Sequence, residues 1–174
     1  MTTFRMPILG GPTLTLDVGV PPDTIGNQIT EATAPSIGTI GCYVMADGGA
    51  DEGIYVAFKV PKNYVGTPKM VVTGVLDGAP GAADILGFGM RKRAVANNGA
   101  ADGTFDAEEI ASATIGSNSL AYSDEDLLEI SITLTAGQYA VDNQVFCYVY
   151  IDASATTYAG NFLLTELEFE YTDV

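Results

Sequence analysis

From about Thr39 onward the chain alternates apolar and polar side chains with a period of two, in short runs separated by loops of small residues. Ile54, Val56, Phe58 and Val60 share one face of an extended strand, while Tyr55, Ala57 and Lys59 share the other. Met70, Val72, Gly74 and Leu76 repeat the pattern, and so do Leu86, Phe88 and Met90, with Gly87 and Gly89 opposite them. Leu128, Ile130, Ile132 and Leu134 point one way against Glu129, Ser131 and Thr133. Near the end, Leu163, Thr165, Leu167, Phe169 and Tyr171 form the expected inner set, and Glu166, Glu168 and Glu170 an outer acidic ridge. Half-buried antiparallel strands read this way. Val145–Ile151 is apolar on both faces, which predicts a central strand or one covered on its second face. The connecting stretches ADGGADEG, DGAPGAAD, ANNGAADG and IGSNS have turn chemistry, and no segment shows a sustained helical period. Roughly seven or eight strands at this spacing predict an all-β chain, an antiparallel β-sandwich of jelly-roll type over residues 41–174.

Residues 1–40 differ. Pro7, Pro12, Pro21, Pro22 and Pro35 oppose ladders and helix interiors, so this segment is expected to be an extended N-terminal arm. Phe4, Met6, Ile8 and Leu9 cluster with Arg5 near its tip, as anchoring residues would.

Composition narrows the partners. With 174 residues the chain is long enough for one domain with a real core. Its mean hydropathy of +0.22 is high, yet no run approaches the roughly 20 apolar residues of a membrane helix. The start has one arginine and no long apolar stretch, unlike a secretory signal. A net charge of −15 repels phosphate backbones and anionic bilayers, so neither nucleic acid nor membrane is expected as a partner. Surplus apolar strand faces in a soluble chain point to burial against other subunits.

Catalytic chemistry is sparse. Histidine is absent, which removes the commonest general base and metal ligand. Cys42 and Cys147 lie in apolar strand-like runs and read as small core residues. The carboxylates of Glu166, Glu168 and Glu170 are spaced by about 7 Å, nominally suitable for glycoside hydrolysis. An exposed ridge offers no apolar pocket to separate their pKa values, so a solvated face is expected instead. No catalytic residue and no bound cofactor is therefore expected, and the chain is read as non-enzymatic.

Asn98–Glu109 partly matches a calcium loop, with Asn98, Asp102, Asp106 and Glu109 in ligand slots and Gly103 at the turn. Asn98 replaces the usual first Asp and Ala100 occupies the third slot, so an acidic hairpin loop competes with the metal reading. Arg91, Lys92 and Arg93 hold three of the seven basic residues. They are expected to pair either with a neighbouring acidic subunit or with nearby loop carboxylates.

The run DNQVFCYVYIDASATTYAGNFLLTELEFEY, Asp142–Tyr171, resembles the terminal strands of jelly-roll head-decoration (capsid cement) proteins of tailed bacteriophages. The resemblance implies a homotrimer on the outer capsid surface, made in the host cytoplasm and bound to the major capsid protein. It also implies an N-terminal arm that staples neighbours, with Phe4, Arg5, Met6, Ile8 and Leu9 as its anchors. Two other readings stay open: a phage receptor- or carbohydrate-binding jelly-roll module assisted by calcium, and a carboxylate-dependent hydrolase.

Overall fold

A computed structural model describes residues 2–8, 24–29, 40–45, 51–101, 103–116 and 126–173. The strands are β1 (Thr3–Pro7), β2 (Thr24–Ile29), β3 (Ile40–Met45), β4 (Glu52–Lys59), β5 (Tyr64–Asp77), β6 (Ile85–Val95), β7 (Glu109–Thr114), β8 (Leu127–Thr133), β9 (Gln144–Ile151) and β10 (Asn161–Asp173). One sheet has the order β2-β3-β10-β5-β8, with β1 also paired to β10; the other has the order β4-β9-β6-β7. Every pairing is antiparallel. From β3 to β10 the chain crosses between sheets at every connection except β6 to β7, which gives the jelly-roll order β3-β10-β5-β8 against β4-β9-β6-β7.

The alternation places the core largely as expected. Ile54, Val56, Phe58, Met70, Val72, Leu76, Leu86, Phe88, Met90, Leu128, Ile130 and Ile132 are buried in one cluster between the sheets. On β10 the expectation fails by one residue. The pairing of β10 with β5 slips between Leu164 and Glu166, so the period of two is interrupted at Thr165. Phe162 and Leu164 therefore face the interior, where Leu163 and Thr165 had been expected. Leu163 turns outward into a small separate cluster with Val44 and Val75, its register partners on β3 and β5. The Thr165 hydroxyl donates to the Thr73 carbonyl at 3.1 Å.

Strand β9 is covered on its second face by a tiling of its own neighbourhood. Tyr55 stacks on Tyr148 at 4.6 Å between centroids, and Tyr148 on Tyr150 at 4.9 Å. The Tyr150 ring lies over Gly89, where an added Cβ would come within 2.5 Å of it. The Arg91 guanidinium sits 5.4 Å from the Tyr150 ring centroid.

The segment expected to be an arm contributes two strands, β1 and β2. Strand β1 pairs with β10 from Thr3 opposite Thr172 to Pro7 opposite Glu168. Arg5 fastens it across the outer face: the guanidinium donates to Glu129 at 2.7 and 2.8 Å, to Glu168 at 3.3 Å and to Glu170 at 2.9 Å. Lys69 adds a 2.7 Å bond to Glu170. Part of the acidic ridge is thus not a simple solvated face: Glu168 and Glu170 are paired with the chain's own cations and Glu170 is only 8% exposed, while Glu166 is exposed.

These bonds hold two carboxyls below their ordinary value of 4.5, Glu129 through Arg5, and Glu170 through Lys69 first and Arg5 second. A depressed folded pKa stabilises the fold above the unfolded value, and that contribution is lost as pH falls through the folded one. Arg5→Gln is expected to cost about 1–2 kcal/mol at neutral pH, held down by the water access of Arg5 and Glu129. Denaturation series on both proteins should converge as the pH drops below 4.5. A gap that stays constant down to acid unfolding would refute the network's role.

Candidate functional site

At one end of the four-stranded sheet, on its outer face, lies an open groove of about 570 Å³. Its floor comes from β9 and β6. Gln144 pairs with Lys59 on one side and Val95 on the other, and Phe146 pairs with Ala57 and Arg93 one step along. Lys59 and Asp142 form one wall, and the turn from Ala96 through Ala101 forms the other.

Local sequence explains each wall. After β6 the run Ala96-Asn97-Asn98-Gly99 turns back on itself, with the Gly99 N–H donating to the Ala96 carbonyl at 2.8 Å. Asn98 has φ of +66°, a left-handed conformation that asparagine tolerates better than most residues. Opposite, Asp142 also has φ of +66°, and its N–H donates to the Val60 carbonyl at 3.2 Å. Its carboxylate meets Lys59 at 3.0 Å in an exposed ion pair. Gln144 is oriented by donation from its side-chain nitrogen to the Phe58 carbonyl at 3.0 Å.

The groove therefore gathers three amide side chains, a carboxylate and an ammonium around a half-buried phenyl ring. Amides donate and accept at once, which matches adjacent hydroxyl groups on a ligand, and a phenyl face packs against C–H groups. Among the described lining residues Asp142 is the one acidic group, so they do not supply the carboxylate pair of a glycosidase. A smaller cleft of about 200 Å³ opens where β1 and β3 leave the edge of β10, lined by Pro7, Ile8, Tyr43 and Leu164 among others. It is a gap between strand ends with fewer polar side chains.

The residues singled out from the sequence lie mostly elsewhere. Phe4 is exposed and stacked on Tyr171 at 6.0 Å, Met6 packs on the core, and Ile8 is buried at 5% exposure. Leu9 and Asp102 fall outside the described residues. Ile8 and Lys92, two of the residues expected to contact a partner, are buried within the chain itself. Lys92 is 0% exposed: it lies on the inward parity of β6, opposite Cys147, and is ion-paired with Glu109. Arg5 pairs with an acidic site on its own sheet. Arg91 faces outward between Asp51 at 3.6 Å and Glu108 at 3.5 Å. Arg93 reaches into the loop that follows β6.

The described calcium candidates, Asn98, Asp106 and Glu109, are not brought together. Asn98 is in the groove turn, Asp106 is exposed, and Glu109 is turned to Lys92 and to the Thr135 N–H at 2.6 Å. Among the described residues no three acidic or cysteine side chains are placed to hold a metal ion. Cys147 is a free buried thiol; burial pushes it up to about 12, so it is not a nucleophile at neutral pH. Lys59, Asn97, Asp142, Gln144 and Phe146 carry the groove, and sequence reading did not assign them a site. Their one signal was the apolar second face of β9.

The architecture and the groove define a jelly-roll sandwich with an open polar site at one end of a sheet. No protein-family model matches the chain, and no curated protein matches it. Among solved structures it is similar to the CBM36-1 domain of a multidomain xylanase from the hindgut metagenome of Trinervitermes trinervoides. That match has 10% identity and a TM-score of 0.41, and covers 99% of this chain and 100% of that one.

Proposed function

We propose that this chain is a non-catalytic binding module whose groove takes a glycan. The observation that carries the reading is the convergence of Asn97, Asn98, Gln144, Asp142 and Lys59 around the ring of Phe146. Its volume of about 570 Å³ falls within the range of small-ligand sites and holds a short run of sugar units. Of the ridge carboxylates, Glu168 is engaged by Arg5 and Glu170 by Arg5 and Lys69, and the buried thiol is inert, so these groups serve the fold. Affinity electrophoresis against a panel of soluble polysaccharides tests the reading. Retardation by at least one polysaccharide is expected, and Phe146→Ala should weaken it about tenfold through loss of the ring contact. Migration unaffected by every polysaccharide would overturn it.

A second reading, docking on a capsid as the phage resemblance implies, has one specific observation on its side. Leu127, paired with Val75 at the edge of the sheet, presents an apolar side chain that is 66% exposed, while Val44, Leu163 and Val75 beside it are buried. Co-sedimentation of wild type and Leu127→Glu with undecorated capsids tests it; equal pelleting of the two would remove that support.

A further inference from the structure

We infer that the loop from Asn98 to Glu109 is closed by the chain's own cations, Arg93 and Lys92, so that the groove it walls binds its ligand without a divalent metal. The second half of this inference rests on the glycan reading of the groove.

A twelve-residue calcium loop presents side-chain oxygens at its first, third and fifth positions, a backbone carbonyl at its seventh and a bidentate Glu at its twelfth. Counted from Asn98, the third position is Ala100, the seventh Thr104 and the twelfth Glu109. The Thr104 carbonyl accepts a bond from Arg93 Nη1 at 3.3 Å, and the Ala100 carbonyl one from Arg93 Nη2 at 3.2 Å. Gly103, at φ of +136°, runs its backbone so close that an added Cβ would stand 2.2 Å from Nη1. The seventh-position carbonyl thus faces a guanidinium where a calcium loop would place its ion.

The twelfth position is taken as well. Glu109 lies on β7 with its carboxylate on Lys92 and on the Thr135 N–H. Strand alternation explains how two adjacent residues serve both ends of the loop. Lys92 and Arg93 are consecutive on β6 and face opposite sides, Lys92 inward to Glu109 and Arg93 outward to the carbonyls. A divalent ion would have to displace one positive group and settle beside another, which Coulomb repulsion opposes. Arg93 is in this sense a positioning residue: it holds the turn that presents Asn98 and Gly99 to the groove.

The test compares wild type, Arg93→Met and Arg93→Lys, each in chelator and in millimolar calcium chloride, by amide hydrogen exchange, thermal midpoint and polysaccharide retardation. Wild type is expected to have the same midpoint and loop protection in both media. Arg93→Met should speed exchange at the Gly99 and Asp106 amides about tenfold or more while the β4 and β9 amides keep their protection. It should also weaken retardation in both media, with Arg93→Lys recovering part of the loss. A wild-type midpoint raised by calcium, or loop protection unchanged in Arg93→Met, would overturn the inference. If no polysaccharide binds wild type, the glycan reading fails on its own, and exchange and midpoint still decide whether the loop is closed by Arg93.

Discussion

Lys92→Ala is expected to destabilise the fold by about 3–5 kcal/mol, measured by urea denaturation at neutral pH. Lys92 is fully buried on the inward side of β6, between Cys147 of β9 and Glu109 of β7. Its ammonium also sits 5.4 Å from the ring centroid of Tyr139. Removing it leaves the Glu109 carboxylate, with a side chain only 13% exposed, facing an empty space in place of a cation. The loss then sums an uncompensated charge and a cavity. The pair as a whole should matter far less than either member. In Lys92→Met with Glu109→Gln, the methionine refills the volume and the glutamine still accepts from the Thr135 N–H. That double variant is expected within about 1.5 kcal/mol of wild type. A single Lys92→Ala loss under about 1 kcal/mol would mean that water screens the site and the interior is wetter than the geometry shows.

Phe169→Ala should cost a similar amount, about 3–5 kcal/mol, for a different reason. Phe169 is fully buried on β10 and joins rings from both sheets. Its centroid lies 4.7 Å from Phe58, 5.5 Å from Tyr139, 5.8 Å from Tyr171 and 6.1 Å from Tyr64. Truncation removes contacts to four rings, three of them held by strands, which cannot all close the gap. Phe169→Leu should recover about half of the loss, and the pair of variants separates cavity size from ring chemistry. The contrast with Phe146→Ala is part of the expectation. Phe146 is half-buried at the groove, so its loss should affect ligand retention and leave the denaturation midpoint nearly unchanged. A large stability loss in Phe146→Ala would reassign that ring to the fold.

The sandwich was legible because a strand's side-chain period depends on nearest neighbours along the chain. Ile54 to Val60, Met70 to Leu76 and Leu128 to Ile132 needed no knowledge of what they pair with. What stayed hidden depends on pairing. The slip at Thr165 arises between β10 and β5 and leaves no mark in the local pattern, so Leu163 was expected between the sheets and is found buried on the opposite face of its own sheet. Lys92 was read with Arg91 and Arg93 as one basic cluster, although strand alternation already separated it from both. Its inward parity was readable; its partner Glu109 on the next strand was not. Arg5 was seen as an exposed anchor because its acidic partners lie on β8 and β10, more than a hundred positions away. The groove was least legible of all. Its residues come from β4, β6, β9 and two turns, and apart from Asn98, singled out for a calcium loop, none of them belongs to a spaced motif.

The place of β10 in the sheet also bears on how the chain acquires its fold. It follows every one of its partners in the chain, yet it lies between β3 and β1 on one side and β5 on the other. On the ribosome, β3 and β5 emerge before the strand that lies between them, and their sheet cannot close until β10 is made. Closure of this sheet therefore waits for β10, through pairings of very large sequence separation, which are slow to find. During that interval the apolar faces of β3, β5 and β8 are open to one another's copies. The net charge of −15 keeps those copies apart by mutual repulsion while the final strand arrives.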